Sequence, residues 1–277
     1  MGARRLKTLL GDYPVTQALK AGRIPADPLA FDYADVKVPH TAFKRVVRDL
    51  EFDVAELAIM TFLLARAHGK PLKLLPAVLT ARFQHPFIVY NAERGPLSPR
   101  ELNGKRVGQR SYSVTTATWI RGILADDYGV DLSSIRWVTF EEPHVAEFRD
   151  PPNAERAPAG KDITAMLLDG ELDAGIVGEP PKDQRIRTLF QDPAAAGKAW
   201  GEKRGAIQIN HMVAVRQDLD CPDEVFRLLS ESRKAAGSPP MNPFGVEENR
   251  RNLEAAIDCL YRQRMIPHRF SVEELFR

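Results

Sequence analysis

The fold is decided by two stretches of sequence, 97-LSPRELNGKRVG-108 and 167-LLDGELDAGIV-177. In the first stretch, Gly104 opens a turn that leads into a strand at Val107. In the second, Gly170 follows a predicted helix, as glycine commonly does past a helix C-terminus, and the apolar run from Leu172 predicts a buried strand. Each stretch therefore predicts a turn followed by a strand of an α/β sheet.

The rest of the chain alternates short apolar runs with helical patterns, which is typical of an α/β fold with mixed or mostly parallel sheets flanked by helices. Asp53 and Glu56 have the spacing of a capping box, and apolar residues at helical spacing continue to Ala67, so this pattern predicts one helix from Asp53 onward. A second predicted helix, 114–128, ends at Gly129.

Composition excludes several classes of protein. Of the 277 residues, 44% are hydrophobic and 27% are charged, which is ordinary for a soluble globular chain. The net charge is +2 and the basic residues are scattered, so we expect no nucleic-acid partner. No apolar run approaches the roughly 20 residues of a membrane span, so we expect no membrane partner. Two cysteines are too few for a disulfide framework.

The first residues of the chain indicate the cellular compartment. The apolar run 6–10 stops at the turn residues Gly11 and Pro14, before it reaches the roughly 7–15 residues of a signal-peptide core. We therefore expect a cytoplasmic protein. The sequence leaves a homo-oligomer open.

The two stretches quoted first resemble the corresponding segments of type II periplasmic-binding-protein folds. That resemblance implies two α/β lobes joined by two crossing strands, with a ligand cleft between the lobes. Placed on this chain, it predicts lobe I from residues 1–92 and 210–277 and lobe II from residues 93–209. The crossing segments are then expected near 88–95 and 205–213.

A narrower resemblance runs through nearly the whole chain. The sequence is similar to the 4,5-dihydroxyphthalate decarboxylase family at 50-LEFDVAEL-57, 82-RFQH-85, 104-GKRVGQRSYS-113, 119-WIRGIL-124, 137-WVTFE-141 with 144-HVAE-147, and 209-INHMV-213. The resemblance implies a step of phthalate degradation, in which a dihydroxylated aromatic diacid loses one carboxylate and gives protocatechuate. The chain departs from the family at Val114, Ala117 and Pro143, which leaves a close analogue of that substrate open.

Such a reaction must hold the substrate's carboxylates and donate a proton to the ring carbon that loses one of them. The turn 110–116 lies between a predicted strand and a predicted helix, where free backbone N–H groups and the helix dipole favour an anion. Its candidate substrate-binding residues are Arg110, Ser111, Ser113 and Thr115. The alternative is that Ser113 only caps the helix and Arg110 lies on the surface.

Other polar residues are candidates for substrate binding outside this turn. Arg82, after a predicted strand, is a second candidate for a carboxylate clamp, because a guanidinium matches a carboxylate at two points. Glu51 and Asp12 are candidates for binding the ring hydroxyls. Arg121, close to Trp119 on the predicted helix, is interpreted as a solvated residue.

Three histidines are candidate catalytic residues, His85, His144 and His211, because each follows or interrupts an apolar, strand-like run. Imidazole both donates and accepts protons near neutral pH, so each histidine is suited to proton delivery. No organic cofactor is predicted, since neither GxGxxG nor GxxxxGK[ST] is present. The same three histidines leave a divalent metal open, since a catalytic metal takes about three protein ligands.

Two functions fit these residues. The first is a decarboxylase of a hydroxylated aromatic dicarboxylate, with a carboxylate clamp and a general acid. The second is a solute-binding protein for a small aromatic or other carboxylate, serving a transporter or a sensor. Both use the anion-binding turn, but only the enzyme needs the histidines.

Overall fold

The computed structural model describes residues 3–277, which form two β-sheets flanked by helices. In chain order, the strands of the described residues are β1 (Arg4–Leu9), β2 (Leu29–Tyr33), β3 (Val54–Ala58), β4 (Leu72–Ala81), β5 (Ile88–Asn91), β6 (Arg106–Gln109), β7 (Arg136–Thr139), β8 (Ala154–Arg156), β9 (Ala174–Ile176), β10 (Ile186–Thr188) and β11 (Ile209–Arg216). The predicted α/β class is confirmed.

The α-helices of the same residues are α1 (Pro14–Lys20), α2 (Phe43–Arg48), α3 (Ile59–Ala67), α4 (Thr115–Tyr128), α5 (Ile163–Leu168), α6 (Pro193–Arg204), α7 (Pro222–Ala235) and α8 (Val246–Arg262). Within the part of the chain that is described, none of these helices combines the length and the apolar character needed to traverse a bilayer. Short 3₁₀ turns connect several of the elements.

The first compact unit contains the described residues up to Arg82, the short segment His144–Ala146, and Ile209–Arg277. Its five-stranded sheet has the order β2-β1-β3-β11-β4. Strand β1 is parallel to β2 and β3, whereas β11 is antiparallel to β3 and β4. Helices α1 and α7 bury apolar side chains against this sheet, among them Leu19 and Leu228.

Strand β3 is at the centre of this sheet, where the sequence predicts a helix from Asp53 onward. That prediction is wrong, and helix α3 begins only at Ile59. The Asp53 carboxylate accepts a hydrogen bond from the backbone N–H of Lys7 and so ties β3 to β1. All five residues of β3 are buried, so the strand lacks the alternating pattern of a half-exposed one. Glu56 is therefore a strand residue, and its capping-box spacing is coincidental.

The second unit contains Phe83–Pro143 and Glu147–Gln208. Its six-stranded sheet has the order β10-β5-β9-β6-β7-β8. Strands β6 and β9 are parallel neighbours, and Gly108 of β6 lies opposite Gly175 of β9. A Cβ atom at Gly108 would lie 2.6 Å from Leu172 Cδ1, and one at Gly175 would lie 2.6 Å from Ile163 Cγ2. The two stretches that decide the fold thus meet side by side, with glycines that let α5 and the following turn pack close.

The unit boundaries differ from the predicted ones. Strand β5 pairs with β9 and β10, so residues 83–92 belong to the second unit and the boundary moves from residue 92 to Arg82. The predicted crossing segment near 88–95 consequently lies inside the second sheet. The other boundary, between Gln208 and Ile209, falls within the predicted segment 205–213. His144–Ala146 joins the first unit, which no sequence pattern indicated.

Candidate functional site

The first unit contains a buried polar cluster around Glu56, whose side chain has no exposed surface. On the antiparallel strand β11, Val213 lies directly opposite Glu56. His211 is two residues from Val213 on the same face, so it is a diagonal neighbour of Glu56. Gly11 and Tyr13 follow the end of β1, the parallel neighbour of β3 on its other side. We call Glu56, His211, Tyr13 and Gly11 the Glu56 cluster.

Three hydrogen bonds meet at the Glu56 carboxylate. His211 Nδ1 lies 2.5 Å from Oε1, and the Tyr13 hydroxyl donates to the same oxygen at 2.6 Å. The backbone N–H of Gly11 donates to Oε2 at 2.9 Å. Burial, together with the charge of Glu56 and the hydrogen bond to it, raises the pKa of Tyr13 far above its usual range, so the phenol remains a donor. Both oxygens of the Glu56 carboxylate therefore accept hydrogen bonds from protein groups, without solvent.

The His211 ring is held by one nitrogen and open at the other. Its side chain is 19% exposed, and the described residues provide no hydrogen-bond partner for Nε2. The ring also packs edge-on against Phe43, with the ring centroids 5.2 Å apart. When Glu56 is ionised, Nδ1 carries the shared proton and Nε2 is the nitrogen that can exchange a proton with a substrate. This carboxylate–imidazole pair has the arrangement of a general acid–base catalyst.

His144 lies in the same unit, against the same aromatic ring. Its ring centroid is 5.6 Å from that of Phe43, and its Nδ1 is 2.9 Å from the Thr61 hydroxyl oxygen. The Arg48 guanidinium donates to the backbone carbonyl of His144 at 2.8 Å. Phe43 thus contacts two of the three predicted histidines, His144 and His211.

His85 belongs to the second unit, where it is almost fully buried against Phe190, with the ring centroids 5.1 Å apart. Its Nδ1 has no hydrogen-bond partner among residues 3–277. Burial lowers the pKa of the His85 imidazole to about 4. The ring is therefore neutral at neutral pH, whereas a general acid of the imidazolium type must be charged. Its catalytic role stays a prediction.

The described residues contain no group of three or more His, Cys, Asp or Glu side chains placed to hold a metal ion. The sequence left a divalent metal open at His85, His144 and His211, and the structure supplies no such ligand set for it.

The predicted anion-binding turn lies in the second unit, between β6 and α4. Ser111 and Ser113 are buried, and Thr115 is the first residue of α4. Ser111 Oγ has no hydrogen-bond partner in the described structure. The N-cap of α4 is Val114, which makes no side-chain capping bond. The alternative, in which Ser113 caps this helix, is therefore wrong. The leading N–H groups of a helix have no intrahelical partner, and the buried Ser111 hydroxyl lies in the turn that leads into this helix.

Arg110, the first residue of this turn, is half-exposed. Its guanidinium Nη1 is 3.7 Å from Glu141 Oε2, a distance at which a pair on the surface contributes little. The guanidinium is therefore not committed to a close carboxylate partner there.

Arg121 supports the turn from inside the second unit. The sequence predicts a solvated side chain at this position, and that prediction is wrong. Arg121 is fully buried. Its guanidinium lies 3.8 Å from the centroid of the Tyr112 ring and donates to Gln109 Oε1 at 2.7 Å. Because Gln109 ends β6 and Tyr112 lies inside the turn, Arg121 places a buried positive charge directly behind it.

The remaining candidate residues lie in the first unit. Glu51 accepts hydrogen bonds from Arg45 and Lys7, which lower the pKa of its carboxyl to about 2. Asp12 is exposed and pairs with Lys20, with 2.5 Å between the charged atoms. Arg82 is half-buried just after β4, as the last residue of its segment. Their roles in substrate binding stay predictions.

Sequence reasoning missed Glu56 and Tyr13. The capping-box spacing predicts Glu56 in a helix, and Tyr13 lies in the predicted turn after the first strand. Glu56 belongs to the segment 50-LEFDVAEL-57, which carries part of the family resemblance. A glutamate in an otherwise apolar buried segment is the signal that could have identified it, because a buried charge needs partners.

Comparison with known proteins identifies the family. No protein-family model matches the chain. A 4,5-dihydroxyphthalate decarboxylase of Comamonas testosteroni is 30% identical over 234 residues, which span 79% of this chain and 70% of that protein. The chain belongs to the 4,5-dihydroxyphthalate decarboxylase family. A second decarboxylase of that name, from Pseudomonas putida, is 28% identical over 213 residues, 72% of this chain and 82% of the relative. The predicted family is confirmed, and with it the prediction of a decarboxylase enzyme.

Solved structures show the fold of this decarboxylase. The alkanesulfonate-binding protein SsuA of Xanthomonas axonopodis matches with a TM-score of 0.63 and 15% identity, covering 99% of this chain and 98% of its own. The aliphatic sulphonate binding protein SsuA of Escherichia coli matches with a TM-score of 0.63 and 13% identity, covering 100% and 92%. The predicted periplasmic-binding-protein-like fold is therefore confirmed.

Proposed function

We propose that this decarboxylase removes one carboxylate from a hydroxylated aromatic dicarboxylate, 4,5-dihydroxyphthalate or a close analogue. The names of its two relatives supply the substrate class. In the structure, the observation that carries the proposal is the contact of 2.5 Å between His211 Nδ1 and the buried Glu56 carboxylate. Such a pair stabilises an imidazolium whose other nitrogen delivers a proton.

In the proposed step, the His211 imidazolium transfers its Nε2 proton to the ring carbon that bears the leaving carboxylate. The hydroxyl para to that carbon supplies electron density, and the ring becomes transiently dienone-like. The bond between the ring carbon and the carboxylate then breaks, its electron pair returns to the ring, and carbon dioxide leaves. A ring C–H bond replaces the carboxylate, and His211 is left neutral. Glu56 stabilises the charged form of His211 before the transfer.

The turn of the second unit supports the carboxylate-binding part of the proposal. The Arg110 guanidinium lies 3.7 Å from Glu141 Oε2, which is a long distance for an ion pair. Ser111 has a buried hydroxyl without a partner among the described residues. Arg121 adds a buried positive charge behind the turn. Together with the N-terminus of α4, these groups form a candidate site for one carboxylate.

The test is to incubate the purified protein with 4,5-dihydroxyphthalate, with and without a chelator, and to follow carbon dioxide and protocatechuate by chromatography. We expect both products in both samples. Loss of product only with chelator would establish a metal requirement. No product but a saturable thermal shift would contradict this substrate and favour another hydroxylated acid or the solute-binding function.

A further inference from the structure

We propose that Tyr13 is a positioning residue that keeps His211 an effective proton donor through the carboxylate that both residues share. We infer that Gly11 is the residue that gives Tyr13 the space to reach that carboxylate. This inference deepens the proposed function and rests on it, because it assumes that His211 is the proton donor.

The shared atom is Glu56 Oε1. His211 Nδ1 approaches it to 2.5 Å and the Tyr13 hydroxyl to 2.6 Å, while Oε2 is engaged by the N–H of Gly11. Because Glu56 has no exposed surface, water does not compete for these bonds and each is strengthened by the low local dielectric. The phenol draws electron density from Oε1 and so weakens the hold of that oxygen on the imidazolium. Without Tyr13, His211 would retain its proton more strongly and would be a weaker acid.

The loop that carries Tyr13 is built around Gly11. A Cβ atom at position 11 would lie 2.7 Å from Tyr13 Cε2 and 2.8 Å from the Tyr13 hydroxyl oxygen, closer than atoms can approach. The Thr16 hydroxyl donates to the carbonyl of Gly11 at 2.7 Å and accepts from the backbone N–H of Tyr13 at 3.0 Å. These bonds stabilise the loop, in which the Tyr13 ring lies over the bare backbone of Gly11.

Other titratable and charged groups lie near the Glu56 cluster. Asp12 precedes Tyr13 and is paired with Lys20. His144 packs against the same Phe43 ring as His211, and its backbone carbonyl accepts a hydrogen bond from Arg48. Within the described first unit, the hydrogen bonds of Glu56 to titratable side chains come from His211 and Tyr13 alone. The phenol is therefore the group whose removal acts most directly on His211.

The test compares Tyr13→Phe with Tyr33→Phe by NMR titration of the histidine ring signals, with His211 assigned through His211→Asn. Tyr33 is a matched control, because it is a half-buried tyrosine of the same unit whose hydroxyl has no partner among residues 3–277. We expect the His211 signals to change at higher pH in Tyr13→Phe than in the unsubstituted protein, and at an unchanged pH in Tyr33→Phe, because the phenol no longer competes for Glu56 Oε1. With substrate, the alkaline limb of the kcat profile should move in the same direction, with KM unchanged.

Gly11→Ala provides a second variant, because the added methyl group displaces the phenol. We expect it to reproduce the shift of Tyr13→Phe, whereas Gly178→Ala, at a glycine with no atom within 4 Å of an added Cβ, should not. An unshifted His211 in Tyr13→Phe, or an equal shift in Tyr33→Phe, would overturn the inference. The titration needs no substrate, so a failure of the proposed decarboxylation would be seen separately, as absence of product.

Discussion

The Glu56 cluster of the first unit and the turn 110–116 of the second unit are both buried and polar, but they differ in how their hydrogen bonds are used. Each oxygen of the Glu56 carboxylate has a donor within the protein. In the other region, Ser111 Oγ and the neighbouring Gln109 Nε2 are buried without a partner among the described residues. One region is thus complete by itself, whereas the other has unused hydrogen-bonding capacity.

This difference indicates two kinds of task. A satisfied buried network holds its side chains in one geometry, which suits proton transfer, where a small displacement is costly. An unsatisfied buried donor or acceptor costs about 1–3 kcal/mol of folding free energy, and a ligand that bonds to it offsets that cost. We therefore expect substitutions in the first region to change turnover and substitutions in the second to change affinity.

The largest effect is expected for His211→Asn. Losing a general acid typically reduces the rate by about 10²–10⁴-fold, so kcat should fall within that range while KM changes little. Steady-state kinetics checks this, with the exposed His68→Asn as the control. A fully active His211→Asn enzyme would remove proton transfer from the Glu56 cluster, and the same experiment on His144→Asn would follow.

His85 of the second unit should make stability depend on pH. Its folded-state pKa of about 4 lies below the ordinary value of 6.5, so below pH 6.5 the unfolded chain binds a proton that the folded chain does not. Stability is then complete above pH 6.5 and falls as the pH drops toward 4, by up to about 3 kcal/mol. Urea unfolding between pH 7 and 4 measures this loss. His85→Phe should flatten the dependence, and an equally steep curve in that variant would contradict the assignment.

Arg110→Ala tests the affinity side of the comparison. Hydrogen bonds to charged groups contribute about 1.5–3 kcal/mol, so the dissociation constant of an aromatic dicarboxylate should rise about 10–100-fold, with the fold intact. Calorimetric titration with phthalate measures the change without requiring turnover. Arg100→Ala is the control, because Arg100 is an exposed arginine outside the turn. Equal affinity in both variants would show that the turn does not bind the carboxylate.

The smallest effect is expected for Ser111→Ala. Without ligand, this substitution removes an unpartnered buried hydroxyl, so the melting temperature should stay the same or rise slightly. With ligand, one neutral hydrogen bond is lost, and affinity should fall about 2–10-fold. Paired melting and calorimetric measurements separate the two effects. A lower melting temperature without ligand would mean that Ser111 is structural, and the two regions would no longer differ.

The position of the turn 110–116 between a strand and a helix could be predicted from sequence because its residues are contiguous. Residues 110–115 carry a guanidinium and hydroxyls between a strand and a helix, and those two elements follow from local apolar patterns. The burial of Arg121 could not be predicted in this way, because it depends on the packing of α4 against Tyr112 and Gln109.

The Glu56 cluster was only partly predictable. The apolar run that His211 interrupts makes this histidine a candidate, but its partner Glu56 is 155 residues away in the sequence. The pattern from Asp53 to Ala67 reads equally as a capped helix, because a strand buried on both faces has no alternation to reveal it. Its place between β1 and β11 is what makes β3 a strand.

By itself, the sequence determined the family, the α/β class and the contiguous turn 110–116, because each is carried by short motifs whose own residues are close together in the chain. The tertiary structure alone decided that β3 is a strand and that Glu56 meets both His211 and Tyr13. The reason is physical: local patterns report backbone preferences and burial, whereas the register between strands sets which distant side chains share a face. The proposed proton donor depends on that register.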